Sequence, residues 1–280
     1  MGKTKIKCIT DKNTHFYSGI IPDASVPSST GVDCVKVPQL IPWAVKKALQ
    51  KAIKDMIYIL VTDPEFFLPN PEIYPYDPLR MVKENIKSVI SNAKSAPKEI
   101  FDESGKVGST SHQHINRFLL GHEDAEISDE SIRDKVKARL NGIKKFCYEH
   151  KVLIPDDIIY TEKPIGSRIF RYGGTCDCKM KLDGKITIVD FKTGSGPWDK
   201  DYRQISSYWA ADQELGSEGG ITEQLAILNL DDSGDYKLTI ISLEEARDHF
   251  ESFRCLVDFW WKELERKKNI KMKRRKKNGH

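Results

Sequence analysis

The spacing of apolar and polar residues divides the chain into a helical front half and a strand-rich back half. Residues 1–37 have no regular pattern, and residues 63–78 are rich in proline. Apolar residues at helical spacing predict helices at about residues 42–60, 79–95, 109–120 and 128–150. The later pattern predicts strands at 158–163, 167–172, 175–182, 186–192, 222–229 and 236–242, with helices at 201–215 and 243–267. This order indicates an α/β protein whose mixed central sheet is flanked by helices and follows an N-terminal helical region.

Two aspartates and a lysine fall on neighbouring predicted strands. Side chains alternate along a strand, so Asp190 and Lys192 share one face. The Asp183-Gly184 pair predicts a hairpin turn that brings Asp177 beside Asp190. Carboxylates of this kind suit Mg²⁺ or Mn²⁺. A neighbouring lysine can orient or deprotonate an attacking water. Deprotonation is easier when burial lowers the pKa of the lysine.

The order of these residues resembles the PD-(D/E)xK nuclease superfamily, and more narrowly its RecB-like exonuclease branch. The resemblance rests on Gly173-Gly174-Thr175-Cys176-Asp177, then Asp190-Phe191-Lys192, then a helix with Gln204 and Tyr208. It extends over roughly residues 26–260. The resemblance implies a restriction-endonuclease-like core with one or two Mg²⁺ or Mn²⁺ ions at its centre.

The resemblance also implies roles for individual residues. Asp177, Asp190 and the backbone carbonyl of Phe191 would hold the metal, and Lys192 would act with the two aspartates in catalysis. The segment Gly108–His112 resembles the family's Gly-Thr-x-x-His helix, which makes His112 a further ligand, although His114 and His122 lie nearby.

Three further residues keep two interpretations. Gln204 and Tyr208 would bind substrate, or would form the polar side of an amphipathic helix. Glu162 matches a recurrent strand glutamate of the family, and an ion-pair partner is the alternative interpretation.

The function implied by the resemblance is metal-dependent hydrolysis of DNA. The expected enzyme is an exonuclease that acts on single-stranded or end-containing DNA in replication, repair or recombination. The alternatives are a non-catalytic nucleic-acid-binding module on a nuclease scaffold and an RNA-directed phosphodiesterase. The expected division is an N-terminal extension and helical cap (1–105), a nuclease core (106–262) and a basic, disordered tail (263–280).

Charge and cysteine content restrict the setting of this chemistry. The formal net charge is +4, but residues 266–277 contain nine cations and no acid, which leaves −5 for the rest. The tail is expected to attract phosphate without sequence preference, and it also resembles a nuclear-type address. The six cysteines are scattered, so no iron–sulfur cluster is expected. No apolar run spans a membrane or forms a secretory signal, so an intracellular protein, cytoplasmic or nucleoid-associated, is expected.

Overall fold

The structure is a computed structural model of the chain. It describes residues 6–11, 14–21, 24–28, 47–48, 50–55, 58, 78–194 and 196–277. Two compact units are present: residues 1–35 with 107–280, and residues 36–106. The domain boundaries expected from the sequence, after residues 105 and 262, stay a prediction.

A five-stranded mixed sheet forms the centre of the first unit. Its strands lie in chain order: β4 (Ile158–Ser167), β5 (Tyr172–Leu182), β6 (Lys185–Lys192), β7 (Gln224–Leu230) and β8 (Tyr236–Ile241). All neighbours are antiparallel except β6 and β7, which are parallel. The parallel pair requires a crossover, and helix α3 (Asp199–Glu214) supplies it. The expected α/β fold with a mixed sheet is confirmed, and the architecture is consistent with a restriction-endonuclease-like core.

Helices cover both faces of this sheet. On one face, α1 (Pro78–Leu119) and α2 (Arg133–Glu149) contribute to the first core, where Val189 and Phe191 of β6 are buried. On the other face, α3 and α4 (Leu243–Lys277) contribute to the second core, which includes Ile188. Alternate residues of β6 therefore enter opposite cores, as the two-residue period of a strand requires.

The hairpin between β5 and β6 has the turn that the sequence predicts. Asp183 and Gly184 both adopt positive φ, at 49° and 80°, and Leu182 pairs with Lys185. Two central residues of this kind form the tight turn whose twist matches that of the flanking strands.

A separate three-stranded antiparallel sheet precedes the helices. It consists of β1 (Lys7–Asp11), β2 (Thr14–Ile21) and β3 (Ala24–Pro27), in the order β1-β2-β3. The hydroxyls of Tyr17 and Thr175 lie 2.9 Å apart, which links this sheet to β5. The ring of Tyr17 packs directly over Gly173, where the lack of a Cβ leaves room for it.

Four expectations about secondary structure are wrong. The sequence predicts irregular structure for residues 1–37, yet β1 to β3 form there. The strand expected at 167–172 is instead the end of β4 at Ser167, a connection at 168–171 and the start of β5 at Tyr172. The two helices expected within 79–120 are one helix, α1. In place of the disordered tail expected from residue 263, α4 continues to Lys277. Tertiary contacts, such as that between Tyr17 and Gly173, contribute to these differences and are invisible to local patterning.

The expected helix at 42–60 falls only partly within the residues that the structure describes. Residues 47–48, 50–55 and 58 are helical there. Among the described helices, none is long and apolar enough to cross a membrane.

Gly173→Ala should destabilise the fold by about 1–3 kcal/mol, because the added methyl group would overlap the Tyr17 ring. Urea denaturation followed by circular dichroism measures this free energy of unfolding. Gly105→Ala is the matched control, since Gly105 is helical with open space around it and should gain up to about 1 kcal/mol. Equal stability of wild type and Gly173→Ala would contradict the assigned packing.

Candidate active site

Asp177 and Asp190 lie where the pairing of β5 with β6 ends. Cys178 and Val189 form the last pair, which Asp177 directly precedes on β5 and Asp190 directly follows on β6. The backbone N–H of Phe191 donates to a carboxylate oxygen of Asp177 at 2.8 Å. Both aspartates are buried, and Asp190 has no exposed surface. Two buried aspartates thus come from neighbouring strands at the end of one ladder, and their shared role in binding a metal stays a prediction.

The side-chain alternation of β5 is interrupted at Asp177. Cys178, Met180 and Leu182 lie in the first core, but Cys176 lies in the second core. The sequence pattern places Cys176 and Cys178 on the same face, and that interpretation is wrong. On the neighbouring strand, Glu162 has a φ of 45°, a left-handed conformation that costs a non-glycine residue free energy. Both irregularities occur beside the aspartates.

Three side chains from three different elements form a group that could hold a metal ion. They are His112 of α1, Glu162 of β4 and Asp177 of β5, whose ligand atoms lie within 4.8 Å of one another. Nδ1 of His112 is 3.4 Å from Glu162 Oε1 and 3.6 Å from Asp177 Oδ1. Glu162 is the most accessible member, with about 36% of its side chain exposed.

Asp190 lies outside this group because its carboxylate faces Lys192. The Lys192 ammonium is 2.8 Å from Asp190 Oδ2. Oδ2 of Asp190 is thus held by an ammonium group, whereas the buried Oδ1 has no hydrogen-bond partner among the described residues. Buried carboxylate oxygens nearly always have hydrogen-bond partners, so Oδ1 can still accept a ligand.

Gln204 and Tyr208 of α3 continue the polar chain from Lys192. Lys192 donates to Gln204 Oε1 at 2.9 Å, and Gln204 Nε2 donates to the Tyr208 hydroxyl at 2.6 Å. Gln204 therefore orients the lysine from one end of its amide and the tyrosine from the other. The structure brings both α3 residues to Lys192, and their predicted contact with substrate stays a prediction.

Burial and charge act in opposite directions on His112. Burial alone would lower its pKa, but the negative charge of Asp177 and the hydrogen bond with Glu162 raise the pKa to about 9. In the absence of metal the imidazolium therefore balances the acidic group.

Burial disfavours the ionised form of Asp190. Burial raises the pKa of Asp190 to about 7, with Lys192 opposing the rise and Asp177 adding to it. Burial also raises the pKa of Asp177. The folded pKa of Asp190 exceeds the ordinary 3.8, so ionising this carboxyl lowers the stability of the fold as pH rises from 3.8 to about 7.

Lys192 is held as a cation. Burial would lower its pKa, but Asp190, Asp177 and Asp201 together raise the pKa above the ordinary value. The sequence alone left open whether burial would lower the pKa of Lys192. In this arrangement the carboxylates outweigh burial.

The donor set fits a hard divalent cation. It offers carboxylate oxygens from Asp177 and Glu162 and an imidazole nitrogen from His112, and Oδ1 of Asp190, unpartnered among the residues described, lies on the neighbouring strand. Oxygen-rich sets of this kind suit Mg²⁺ and Mn²⁺. Two crowded, buried carboxylates whose pKa values are raised would be stabilised by the positive charge of such an ion.

Asp201 belongs to the site, although the sequence motifs do not include it. Its buried carboxylate accepts a hydrogen bond from the Trp198 N–H at 2.8 Å and lies 3.6 Å from the Lys192 ammonium. Asp201 is three residues before Gln204 and seven before Tyr208, so all three share one helix face. The helical spacing of these three residues was the sequence feature that could have identified Asp201 as part of the site.

The chain matches no family model and no curated protein. Among solved structures it is similar to the crystal structure of LHK-Exo in complex with dAMP. The identity is 14% and the TM-score 0.31, over 58% of this chain and 85% of that chain. At this identity and TM-score the likeness assigns neither family nor activity, so the function has to be inferred from the site.

Saturating Mg²⁺ or Mn²⁺ should raise the melting temperature, because the ion offsets repulsion among buried carboxylates. Binding at about 100 times Kd adds about 2.7 kcal/mol, which corresponds to roughly 5–10 °C for a domain of this size. Differential scanning fluorimetry measures the shift, which Asp177→Asn should abolish. Asp183→Asn, an exposed change in the β5–β6 turn, should retain it. A shift of equal size in both variants would place the ion elsewhere.

Asp201→Asn separates the two contacts of Asp201. The amide oxygen can still accept the Trp198 N–H, but the negative charge beside Lys192 is removed. We expect unchanged stability and Mn²⁺ affinity; for an enzyme that cleaves phosphodiesters, as the sequence resemblance implies, kcat should fall about tenfold, equivalent to about 1.4 kcal/mol.

Asp201→Ala should in addition lower stability by about 1 kcal/mol, because it removes the helix-end hydrogen bond. Asp199→Asn, in the exposed first turn of α3, is the matched control. A wild-type kcat in Asp201→Asn would show that Asp201 only stabilises the end of the helix.

Proposed function

We propose that the protein is a Mg²⁺- or Mn²⁺-dependent nuclease that hydrolyses phosphodiester bonds of DNA. One observation carries the proposal: four elements converge to place His112, Glu162 and Asp177 beside the Asp190–Lys192 ion pair. A metal-binding group directly beside a fixed cation suits a phosphodiester, because the reacting phosphate is itself an anion.

The finer assignment rests on the sequence resemblance. DNA as substrate, exonucleolytic cutting, and single-stranded or end-containing DNA as preferred targets all follow from the RecB-like pattern. Replication, repair and recombination are the processes in which such an enzyme would act.

The residues contribute distinct parts of the chemistry. His112, Asp177 and Asp190 would hold the ion, with Glu162 and the Phe191 carbonyl as further donors. The bound ion would polarise the phosphate and lower the pKa of a coordinated water. Lys192, kept protonated by its carboxylate neighbours, would hold the attacking water and balance charge that builds on phosphate oxygens.

Gln204 and Tyr208 would act on the position of Lys192 and of the substrate strand. Gln204 fixes the lysine through a 2.9 Å hydrogen bond, and Tyr208 fixes Gln204 at 2.6 Å. Displacement of a catalytic group by about 1 Å can cost a hundredfold in rate, so this support matters.

A non-catalytic nucleic-acid-binding module on the same scaffold is less consistent with the site. Oδ1 of Asp190 is buried without a hydrogen-bond partner in the part of the chain that the structure describes, which costs stability unless a ligand or a reaction uses it. A module that only bound nucleic acid would gain nothing from this arrangement. An RNA-directed phosphodiesterase would use the same residues, and only the substrate distinguishes it.

Asp190→Ala and Lys192→Ala should each abolish Mg²⁺-dependent cleavage, by at least about a thousandfold, because each removes one half of the ion pair beside the metal site. Gln204→Ala and Tyr208→Ala should have weaker effects on turnover and processivity. The measurement is product length on end-labelled linear, circular and single-stranded DNA and on matched RNA, with Mg²⁺, Mn²⁺ or EDTA.

Lys200→Ala serves as the control, since this lysine is exposed on the first turn of α3. Cleavage of linear but not circular DNA supports an exonuclease. Full activity in either Asp190→Ala or Lys192→Ala would overturn the assignment.

A further inference from the structure

The C-terminal part of α4 is a helical extension with a strong positive charge. Among the side chains of α4 that the structure describes, Val257 is the last buried one, and residues 265–272 are all exposed. From residue 266 to 277 the sequence has nine cations and no acid. Helical structure continues to Lys277, so the exposed cations Arg266, Lys267, Lys268 and Lys271 are arranged along a helix rather than on a random coil.

The beginning of this helical extension is fixed to the same unit as the active site. Trp261 donates its indole N–H to the Arg171 carbonyl at 3.1 Å, and the Arg171 guanidinium lies 4.7 Å from the Trp261 ring centre. Arg171 directly precedes β5, the strand that carries Asp177. The basic segment begins at Arg266, about one helical turn after Trp261, and Trp261 is anchored beside the start of β5.

This anchor limits the distance between the cations and the metal site. Six residues of extended chain separate Arg171 from Asp177, about 20 Å, and six helical residues separate Trp261 from Lys267, about 9 Å. Adding about 10 Å across the Trp261–Arg171 contact gives at most about 40 Å between backbone positions, the length of about twelve base pairs of duplex.

We propose that the exposed face of α4 at Lys267, Lys268 and Lys271 binds the phosphate backbone of the DNA whose end or strand occupies the active site. The proposal rests on the proposed function and adds a second, sequence-independent contact to it. Charge supports a polyanion as the occupant, since the rest of the chain is formally −5 and the segment is +9.

A membrane surface is the less suitable occupant. An interfacial helix needs a continuous apolar face, and residues 265–272 offer Ile270 and Met272 as their large apolar side chains. A row of lysines with so little apolar surface is better matched to phosphates in water.

The salt dependence of DNA binding tests the proposal without requiring cleavage. Fluorescence anisotropy in EDTA measures the affinity of the full chain for a labelled duplex of about 30 bp, across about 50–200 mM salt. Lys267→Gln, Lys268→Gln and Lys271→Gln are combined in one variant, since glutamine preserves helix propensity. The slope of log affinity against log salt should become shallower by about 2–3, because each phosphate that a lysine neutralises contributes about 0.9 to the slope.

A second triple variant removes the same charge from another surface. It combines Lys137→Gln, Lys181→Gln and Lys237→Gln, three exposed lysines of the body. Its slope should stay close to that of wild type. Equal slopes for the two triple variants would overturn the proposal, as would weaker binding of the α4 variant to phosphatidylserine vesicles with unchanged duplex binding.

Substrate length provides an independent readout in the cleavage reaction. The α4 variant should raise KM for the long duplex several-fold, leave kcat unchanged, and leave hydrolysis of thymidine 5′-(p-nitrophenyl phosphate) as in wild type, because that ester is too short to reach α4. Wild-type KM for the duplex would contradict the proposal. A shallower slope in a protein that cleaves no substrate would leave the α4 contact standing and remove the nuclease assignment alone.

Discussion

The site depends on the cost of burying two carboxylates side by side. Asp177 and Asp190 lie in a desolvated region where burial raises the pKa of each, and Lys192 is the cation that the structure places against Asp190. Desolvation and mutual repulsion oppose ionisation here, and positive charge favours it. His112 supplies part of that charge, and a divalent cation would supply more. The same electrostatic imbalance that weakens the metal-free fold would be relieved by a bound cation, as the proposed function requires.

A second buried ion pair lies nearby on the same strand as Asp177 and is fully hydrogen-bonded. Lys179, two residues after Asp177 on β5, forms a fully buried ion pair with Asp212 of α3 at 2.8 Å and donates to the carbonyls of Glu218 and Gly220. Asp212 also accepts hydrogen bonds from Tyr160 and Thr222. Unlike Asp190, whose Oδ1 has no partner within the described part of the chain, Asp212 accepts hydrogen bonds at both carboxylate oxygens. A satisfied buried ion pair is rigid, because breaking it leaves an uncompensated charge at a cost of about 3–5 kcal/mol.

The sequence predicts the parts of this structure that local pattern determines. The hairpin at Asp183-Gly184 and the shared face of Asp190 and Lys192 follow from turn chemistry and strand period. Other features depend on contacts between distant segments. The packing of Tyr17 over Gly173 joins residues 156 positions apart, and the interruption of alternation between Cys176 and Cys178 is a local departure from regular strand geometry. Local patterning carries no information on either. Helical periodicity, in contrast, could have identified Asp201 as a residue of the site.

Helix α3 shows why these features belong together. Asp201, Tyr208 and Asp212 are separated by seven and four residues, which places them within about 20° of one helix face. That face meets Lys192 of β6 at one end and Lys179 of β5 at the other. Two carboxylates thus hold one helix to two adjacent strands of the sheet, and Gln204 lies between them with its amide on Lys192. The lysine therefore receives its position from a helix anchored at both ends. A cation that must balance a reacting phosphate needs this kind of support, because its own side chain is long and flexible.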